Sequence, residues 1–451
     1  MKKILLFALI PFFSTAQNDD SLFIKKISDE ILVNGKAYDW LHHLTKKIGH
    51  RLSGSSAYNK ASAWGEITMK EAGADKVIMQ ETQVPHWVRG KGDFAKIINV
   101  NNKKENVALN VLALGNSNAG SAAAKVIVIH NFDELEKRKE EIKGKIVFYN
   151  YAFNQTFVET FRAYGDAGKY RHSGASRAAK YGAVACLIRS ISGSTDNFPH
   201  TGAMRYNDSF PKIPAMALGL KDANVLFDLA SKNNVTISIK THGKMLADTI
   251  AHNVIGELIG TEFPNQFITI GGHLDSWDVG EGAHDDGAGC VQTMEVLRVL
   301  KVLNYKPKHS IRFVLFANEE NGLKGGNAYA NAAVEKKEEH IFALESDAGG
   351  FTPRGFTFKA SAEQLQKIQT WSKLLLPYGG DKLEMGGGGA DIGPLNEKLK
   401  TALGGFRPDS QRYFDIHHTE NDVFESVNKR ELLLGAVNMA ALIYLIDKYG
   451  L

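Results

Sequence analysis

Hydrophobic and polar positions change their period several times along the chain. Over residues 21–48, Ile24, Ile27, Ile31, Leu41, Leu44 and Ile48 recur at helical spacing, which predicts two helices broken near Asn34-Gly35. Residues 57–72 read as a further helix with Ala61, Trp64 and Ile67 on one face, and 76–84 as a strand that ends at Pro85. Between about Asn118 and His242 short apolar runs (126–129, 146–149, 183–188, 213–218, 236–240) alternate with turns and one helix, 173–181. Beyond about Met245 strand and helix patterns alternate: strands at 267–270, 311–317, 340–344 and 356–360, helices at 287–302, 324–338, 361–376 and 429–449.

Strand–helix alternation of this kind predicts an α/β fold, with a mostly parallel central sheet flanked by helices. The Gly/Ser/Asn stretch 116–121 and Thr241-His242-Gly243 mark the exit and return of a second α/β unit inserted into the first. The expected organisation is a leader at 1–16, a first part of the main domain at 17–117, an inserted domain at 118–242, and the rest of the main domain at 243–451. Ionisable residues of the insert are scattered without ligand-like clustering, so it reads as a lid or scaffold.

Composition narrows the function by exclusion. The chain has 451 residues, a globular balance of apolar and charged residues and a net charge of +4 with no dense Lys/Arg block, which argues against nucleic acid as a partner. Its start, MKKILLFALIPFFSTAQND, has two lysines, an apolar run from Ile4 to Phe13 and Ser14-Thr15-Ala16, the layout of a secretory signal peptide cleaved after Ala16. That run is too short to span a bilayer, which takes roughly 20 residues. No later segment reads as long and apolar enough, so the mature chain is expected to be exported, without a membrane anchor. Cys186 and Cys290, in apolar or glycine-rich surroundings and in different domains, are expected to be buried free thiols. Asn154, Asn207 and Asn234 each begin an N-x-[ST] sequon.

Chemistry is concentrated where apolar runs end. Residues 271–290, GGHLDSWDVGEGAHDDGAGC, carry His273, Asp275, Asp285 and Asp286 between a strand and a helix. Asn318-Glu319-Glu320 follows IRFVLFA, Glu345-Ser346-Asp347 follows HIFAL, and His417 and His418 lie in DIHHTEND. Ligands bind at the carboxyl ends of strands in open α/β sheets. Carboxylates gathered in a dry cleft raise one another's pKa unless a cation neutralises them. Histidines with several carboxylates suit a pair of Zn²⁺ ions, which can share a water and lower its pKa. One carboxylate must then stay unbound as general base, and an adjacent Glu-Glu pair can divide the two tasks.

Five phrases in this order, GGHLDSWDVGEGAHDDGAG, FANEENGLKGG, ESDAGG, GGADIGPL and HHTENDV, resemble those of the secreted co-catalytic zinc exopeptidases. These are the bacterial leucyl aminopeptidase and aminopeptidase Y group, with its plasma glutamate carboxypeptidase branch. GKIV, AAKYGAVACLIRS and IPAMAL resemble the protease-associated domain inserted in that group. The resemblance implies a zinc-exopeptidase fold and two Zn²⁺ per chain, with a metal-bridged water as nucleophile toward dipeptides or short peptides with free termini. His273 and Asp347 would bind one ion, Asp285 would bridge, Glu320 and His418 would complete the second, and Glu319 would be the general base. Asp275 would orient the imidazole of His273, and Asp286 would hold an unusual peptide bond beside the bridging Asp. The group often has Tyr at the position of His417, where it stabilises a developing oxyanion; His is a departure, and its imidazole is the candidate donor. The loop 386–391, ending in Asp391, would line the substrate pocket. The resemblance further implies a homodimer. A glutaminyl-cyclase-like acyl transferase would use a single zinc and lack the insert, and a non-catalytic binding protein on this fold would not need the full ligand set that this chain retains.

Overall fold

The computed structural model describes residues 13–451 and contains two eight-stranded sheets. The first runs, edge to edge, through Lys76–Val88, Lys244–Leu258, His309–Phe316, Phe263–His273, Glu339–Glu345, Ala402–Pro408, Pro353–Lys359 and Lys382–Met385. Its middle is parallel: Phe263–His273 lies between His309–Phe316 and Glu339–Glu345, and Glu339–Glu345 pairs in parallel with Ala402–Pro408. Antiparallel pairings flank that middle, so the sheet is mixed, with a parallel centre.

The centre is parallel because both faces are covered. All of His309–Phe316 is buried, and its alternate residues serve two cores. Ile311, Phe313 and Leu315 pack with helices Ala288–Val302 and Lys429–Tyr449, whereas Val314 and Phe316 pack with Tyr329, Ala330 and Leu395 from the opposite layer. Lys429–Tyr449 is, against the sequence expectation, long and apolar enough to cross a membrane. With 83% of its apolar window buried against the sheet and its neighbouring helices, it is a core helix.

Other boundaries move for local reasons. The strand expected to stop at Pro85 continues to Val88, with the register shifting between Val84 and His86; an edge strand tolerates proline because the missing N–H faces no ladder partner. Its antiparallel partner Lys244–Leu258 had no counterpart in the pattern, because its first half is largely exposed. The helix expected at 361–376 breaks into Ala362–Gln369, Ser372–Leu375 and a turn Leu376–Tyr378 at Pro377. On helix Ser56–Glu71 Ile67 is 56% exposed, and the buried face is formed by Tyr58, Ala61, Gly65 and Met69. The leader expected at 1–16 falls, up to residue 12, outside the described residues.

The second sheet takes strands from Phe94–Val100 through Val235–Thr241. The division at 117/118 therefore does not coincide with the sheets. Phe94–Val100 and Lys103–Leu109 belong to the second one, and residues 116–121 already include the start of strand Gly120–Ile129. The helix read at 173–181 is the second half of Thr160–Lys180. Where the chain crosses between the sheets, Arg89 pairs with Asp278 at 2.5 and 2.9 Å and Trp87 meets Trp277 edge-on.

Candidate metal centre

Three adjacent parallel strands deliver their polar ends to one place. His273 is the last residue of Phe263–His273, Glu319 and Glu320 follow His309–Phe316, and Asp347 follows Glu339–Glu345. Asp285 comes from the turn Ala283–Gly287 that feeds helix Ala288–Val302, and His418 from the loop after Tyr413–Ile416, with a φ of 61°. His273 Nε2 stands 3.3 Å from Asp285 Oδ1 and 3.6 Å from Asp347 Oδ1. On the other side, His418 Nε2 stands 3.1 Å from Asp285 Oδ2 and 3.1 Å from Glu320 Oε2. Asp285 thus faces both groups, one oxygen to each.

Both imidazoles are oriented from behind. His273 Nδ1 lies 3.0 Å from the carbonyl oxygen of Asp275, and His418 Nδ1 lies 3.2 Å from that of Thr201. Donation from Nδ1–H to a carbonyl leaves Nε2 with its lone pair toward the cluster. The Asp275 carboxylate, expected to orient His273, is 3.6 Å from that ring and is committed elsewhere, accepting the backbone N–H groups of Glu319 at 3.0 Å and Glu320 at 3.3 Å. Asp286 accepts the backbone N–H groups of His273 and Gly289, both at 3.0 Å, and the Asp285–Asp286 peptide is cis.

Residues without an assigned role in the sequence complete the support. Asp422 accepts the N–H groups of His284 at 2.7 Å and Asp285 at 3.1 Å. Arg51, fully buried, donates to the carbonyls of Leu274, Glu281 and Gly282 and so ties both ends of the loop between His273 and Asp285. Asp422 was visible within DIHHTEND; Arg51 had no sequence signal beyond being an arginine among small residues.

The electrostatics show a cluster arranged for a cation. Burial opposes ionisation of Asp285, yet the imidazoles of His273 and His418 hold its carboxyl well below the usual range. Burial together with Asp285 pushes Glu320 up to about 7, and burial together with Asp347 and Glu320 pushes Glu319 well up. Asp285 Oδ2 and Glu320 Oε1 are buried without a hydrogen-bond partner, and Oδ2 sits close to His418 Nε2 but out of line for a hydrogen bond. Lone pairs facing one another in this way fit divalent cations of the zinc type, which take imidazole nitrogen and carboxylate oxygen together.

His417 is drawn into the same centre. Its ring stacks on His418 at 3.5 Å, its Nε2 is 3.4 Å from Asp285 Oδ2, and burial followed by the neighbouring His418 holds it neutral. Asp391 departs from expectation. It is buried behind the centre with neither carboxyl oxygen hydrogen-bonded and does not line the cavity, and burial with the charges of Glu345 and Glu319 raises its pKa. The loop ending there wraps Glu345, which accepts the N–H groups of Ala390 and Ile392 at 2.9 Å each.

The cavity over the centre is about 200 Å³ and is lined by Asp285, Glu319, Glu320, Asp347, His417 and His418. Its remaining wall includes Phe161, Tyr164, Arg171 and Ala203, all from the chain segment that builds the second sheet. That segment also holds the histidine loop: Thr201 N–H donates to the His418 carbonyl at 3.0 Å, and His200 Nδ1 lies 2.8 Å from that of His417. The segment that builds the second sheet is therefore part of the site, which its scattered ionisable residues did not reveal.

Residues 253–443 match Peptidase family M28. Carboxypeptidase Q of Homo sapiens is 33% identical over 433 residues, covering 94% of this chain and 88% of that protein. Among solved structures, the peptidase M28 precursor of Shewanella amazonensis aligns with a TM-score of 0.90 at 30% identity, covering 95% of this chain and 97% of that one. A zinc aminopeptidase of Bacillus subtilis shares the fold, with a TM-score of 0.65 at 19% identity over 91% of this chain and 94% of its own.

Proposed function

The chain belongs to peptidase family M28, and from that premise we propose that it is an exported dinuclear zinc exopeptidase acting on dipeptides or short peptides with free termini. The observation that carries the two-metal reading is the placement of Asp285, one carboxylate oxygen facing His273 and the other facing His418. His273 and Asp347 would hold one ion, Glu320 and His418 the other, with Asp285 shared. Zinc bound there polarises a carbonyl oxygen and lowers the pKa of a water.

The chain's own groups supply the proton chemistry. Glu319 lines the cavity and is not among the proposed ligands. Its carboxylate takes a proton from the attacking water and hands it to the amine nitrogen that departs. Asp275 fixes the backbone from which Glu319 and Glu320 diverge, one toward the substrate and one toward the ligands. His417, neutral and in the cavity wall, donates an N–H to the carbonyl oxygen as charge develops on it. Export rests on the 1–16 leader, and a homodimer on the resemblance to the plasma glutamate carboxypeptidase branch.

Metal analysis of the purified protein, paired with hydrolysis of unblocked Ala-Ala before and after chelation, tests this reading. The expected result is two zinc ions per chain, with activity lost on chelation and restored by Zn²⁺. Activity that survives complete removal of metal overturns it.

A further inference from the structure

A second, much smaller cavity of about 10 Å³ adjoins the centre, and its lining includes Trp277, Val279, Asp285, Glu320, His418 and Asp422. It shares Asp285, Glu320 and His418 with the cavity over the centre, whereas Glu319, Asp347 and His417 line only the latter. The shared side chains are the proposed bridge and the two ligands proposed for the ion on the His418 side. His273 and Asp347, which face Asp285 from the other side, do not line it.

Three polar atoms of this lining are buried without a hydrogen-bond partner: Trp277 Nε1, Asp285 Oδ2 and Glu320 Oε1. Carboxylate oxygens can turn to a cation, but an indole N–H is only a donor and needs an acceptor. Buried tryptophans normally find one. Glu320 presents Oε2 to His418 Nε2 at 3.1 Å, which leaves Oε1 for a different partner. The indole is fixed where it stands. Its ring meets His418 at 5.8 Å and Trp87 edge-on at 6.3 Å, and Gly115 packs so closely that a Cβ there would lie 1.8 Å from it. A buried water takes roughly 10–15 Å³ and two to four polar partners, which is what this cavity offers.

We infer that the small cavity is a binding site for one structural water, and that Trp277 is the positioning residue that anchors it. The water accepts the indole N–H and donates to Glu320 Oε1 and Asp285 Oδ2. This rests on the two-metal reading above. Hydrogen bonds from behind hold a ligand carboxylate in the orientation that its ion needs. Held in this way, Glu320 keeps Oε2 beside His418, so Trp277 governs the affinity of the ion on the His418 side and not that of its neighbour.

The test withdraws zinc from the holoenzyme with chelators of graded affinity, for wild type, Trp277→Phe and Trp87→Phe. In Trp277→Phe one of the two ions should bind roughly tenfold to a hundredfold more weakly, with the other unchanged. Its kcat on Ala-Ala should fall at limiting zinc and recover in excess zinc, with KM unaltered. Trp87→Phe removes another indole N–H from the same apolar cluster, one that donates to the Ser117 carbonyl at 2.9 Å, and should leave both affinities as in the wild type. A crystal structure of the zinc-loaded wild type should show an ordered water within hydrogen-bond distance of Trp277 Nε1, whether or not any variant folds. No water there, or zinc affinities in Trp277→Phe equal to those of the wild type, overturns the proposal. Equal weakening in Trp87→Phe also overturns it, since packing alone would then explain the effect. A wild type that binds fewer than two zinc ions overturns the two-metal reading itself, a result distinct from two ions bound with no effect of Trp277→Phe.

Discussion

The carboxylate of Asp275 accepts the backbone N–H of Glu319 at 3.0 Å, joining the loop that follows one strand to the loop that follows its neighbour. Its second oxygen takes the N–H of Glu320, and its own carbonyl faces His273 Nδ1. One buried residue thereby sets the positions of a proposed ligand from each strand and of the proposed general base. Asp275→Asn replaces one acceptor oxygen by an amide that can only donate, leaving a buried N–H unpaired at a cost of about 1–3 kcal/mol. The expected outcome is a drop in kcat of at least roughly tenfold with KM nearly unchanged. Steady-state kinetics on Ala-Ala reads it, and an unchanged kcat would rule out positioning through Asp275.

Glu319 and Glu320 are adjacent but turned to different tasks. Glu320 Oε2 is 3.1 Å from His418 Nε2, while Glu319 makes no comparable contact with an imidazole. Glu319→Gln should lower kcat by roughly two to four orders of magnitude and leave the zinc content near that of the wild type. Glu320→Gln should lose zinc. Metal analysis alongside kinetics separates the two; zinc lost from Glu319→Gln would show that the roles are exchanged.

Burial and His418 keep His417 neutral, so its ring can offer an N–H to an oxygen without carrying a charge. If it stabilises developing charge, His417→Ala should reduce kcat by roughly 10²–10³, the range for removing one such donor, with less effect on KM. Retention of wild-type kcat would remove His417 from the chemistry. Loss of zinc in the variant would instead make it a ligand, as its 3.4 Å approach to Asp285 allows geometrically.

How much of this could be read from the sequence depended on where each residue stood relative to a strand. His273, Glu319, Glu320 and Asp347 lie in polar clusters that follow buried apolar runs, so the pattern located the clusters, the family resemblance singled out these residues within them, and parallel pairing brings them together. His418 and Asp422 share one short polar segment and were visible as a cluster. Arg51, Tyr164 and Arg171 were not legible: each reaches the site from a distant segment, Arg51 from a loop and the other two from the part of helix Thr160–Lys180 that precedes the pattern read at 173–181. Asp391 was misplaced for the converse reason, since a glycine-rich run reads as an open loop whether it faces substrate or wraps a buried carboxylate such as Glu345. The strand Lys244–Leu258, second from the sheet's edge, escaped because exposed residues fill its first half, and the final helix, read as long and apolar-rich, has its apolar length buried in the core.

Away from the metal centre, the sheet carries an ion-pair network that should shape acid stability. Glu338 grips Arg312 with both carboxylate oxygens, at 2.7 and 3.0 Å, Arg312 also pairs with Glu257 at 2.8 Å, and His340 Nε2 approaches Glu338 at 3.2 Å. Burial alone would raise the Glu338 pKa, but the hydrogen bonds from His340 and Arg312 win and hold it at about 2, against an ordinary 4.5. Between those values the unfolded chain binds the proton that the folded chain refuses, so stability rises with pH across that window. The contribution is complete above about pH 4.5 and disappears as the pH falls toward 2; it amounts to at most about 3 kcal/mol. Glu338→Gln removes the titrating group and leaves Arg312 its partner Glu257. Denaturant unfolding at a series of pH values should therefore show wild type and variant furthest apart above pH 4.5 and converging as the solution is acidified. A difference that stays constant from neutral pH down to about pH 3 would mean that Glu338 is not held ionised by Arg312 and His340.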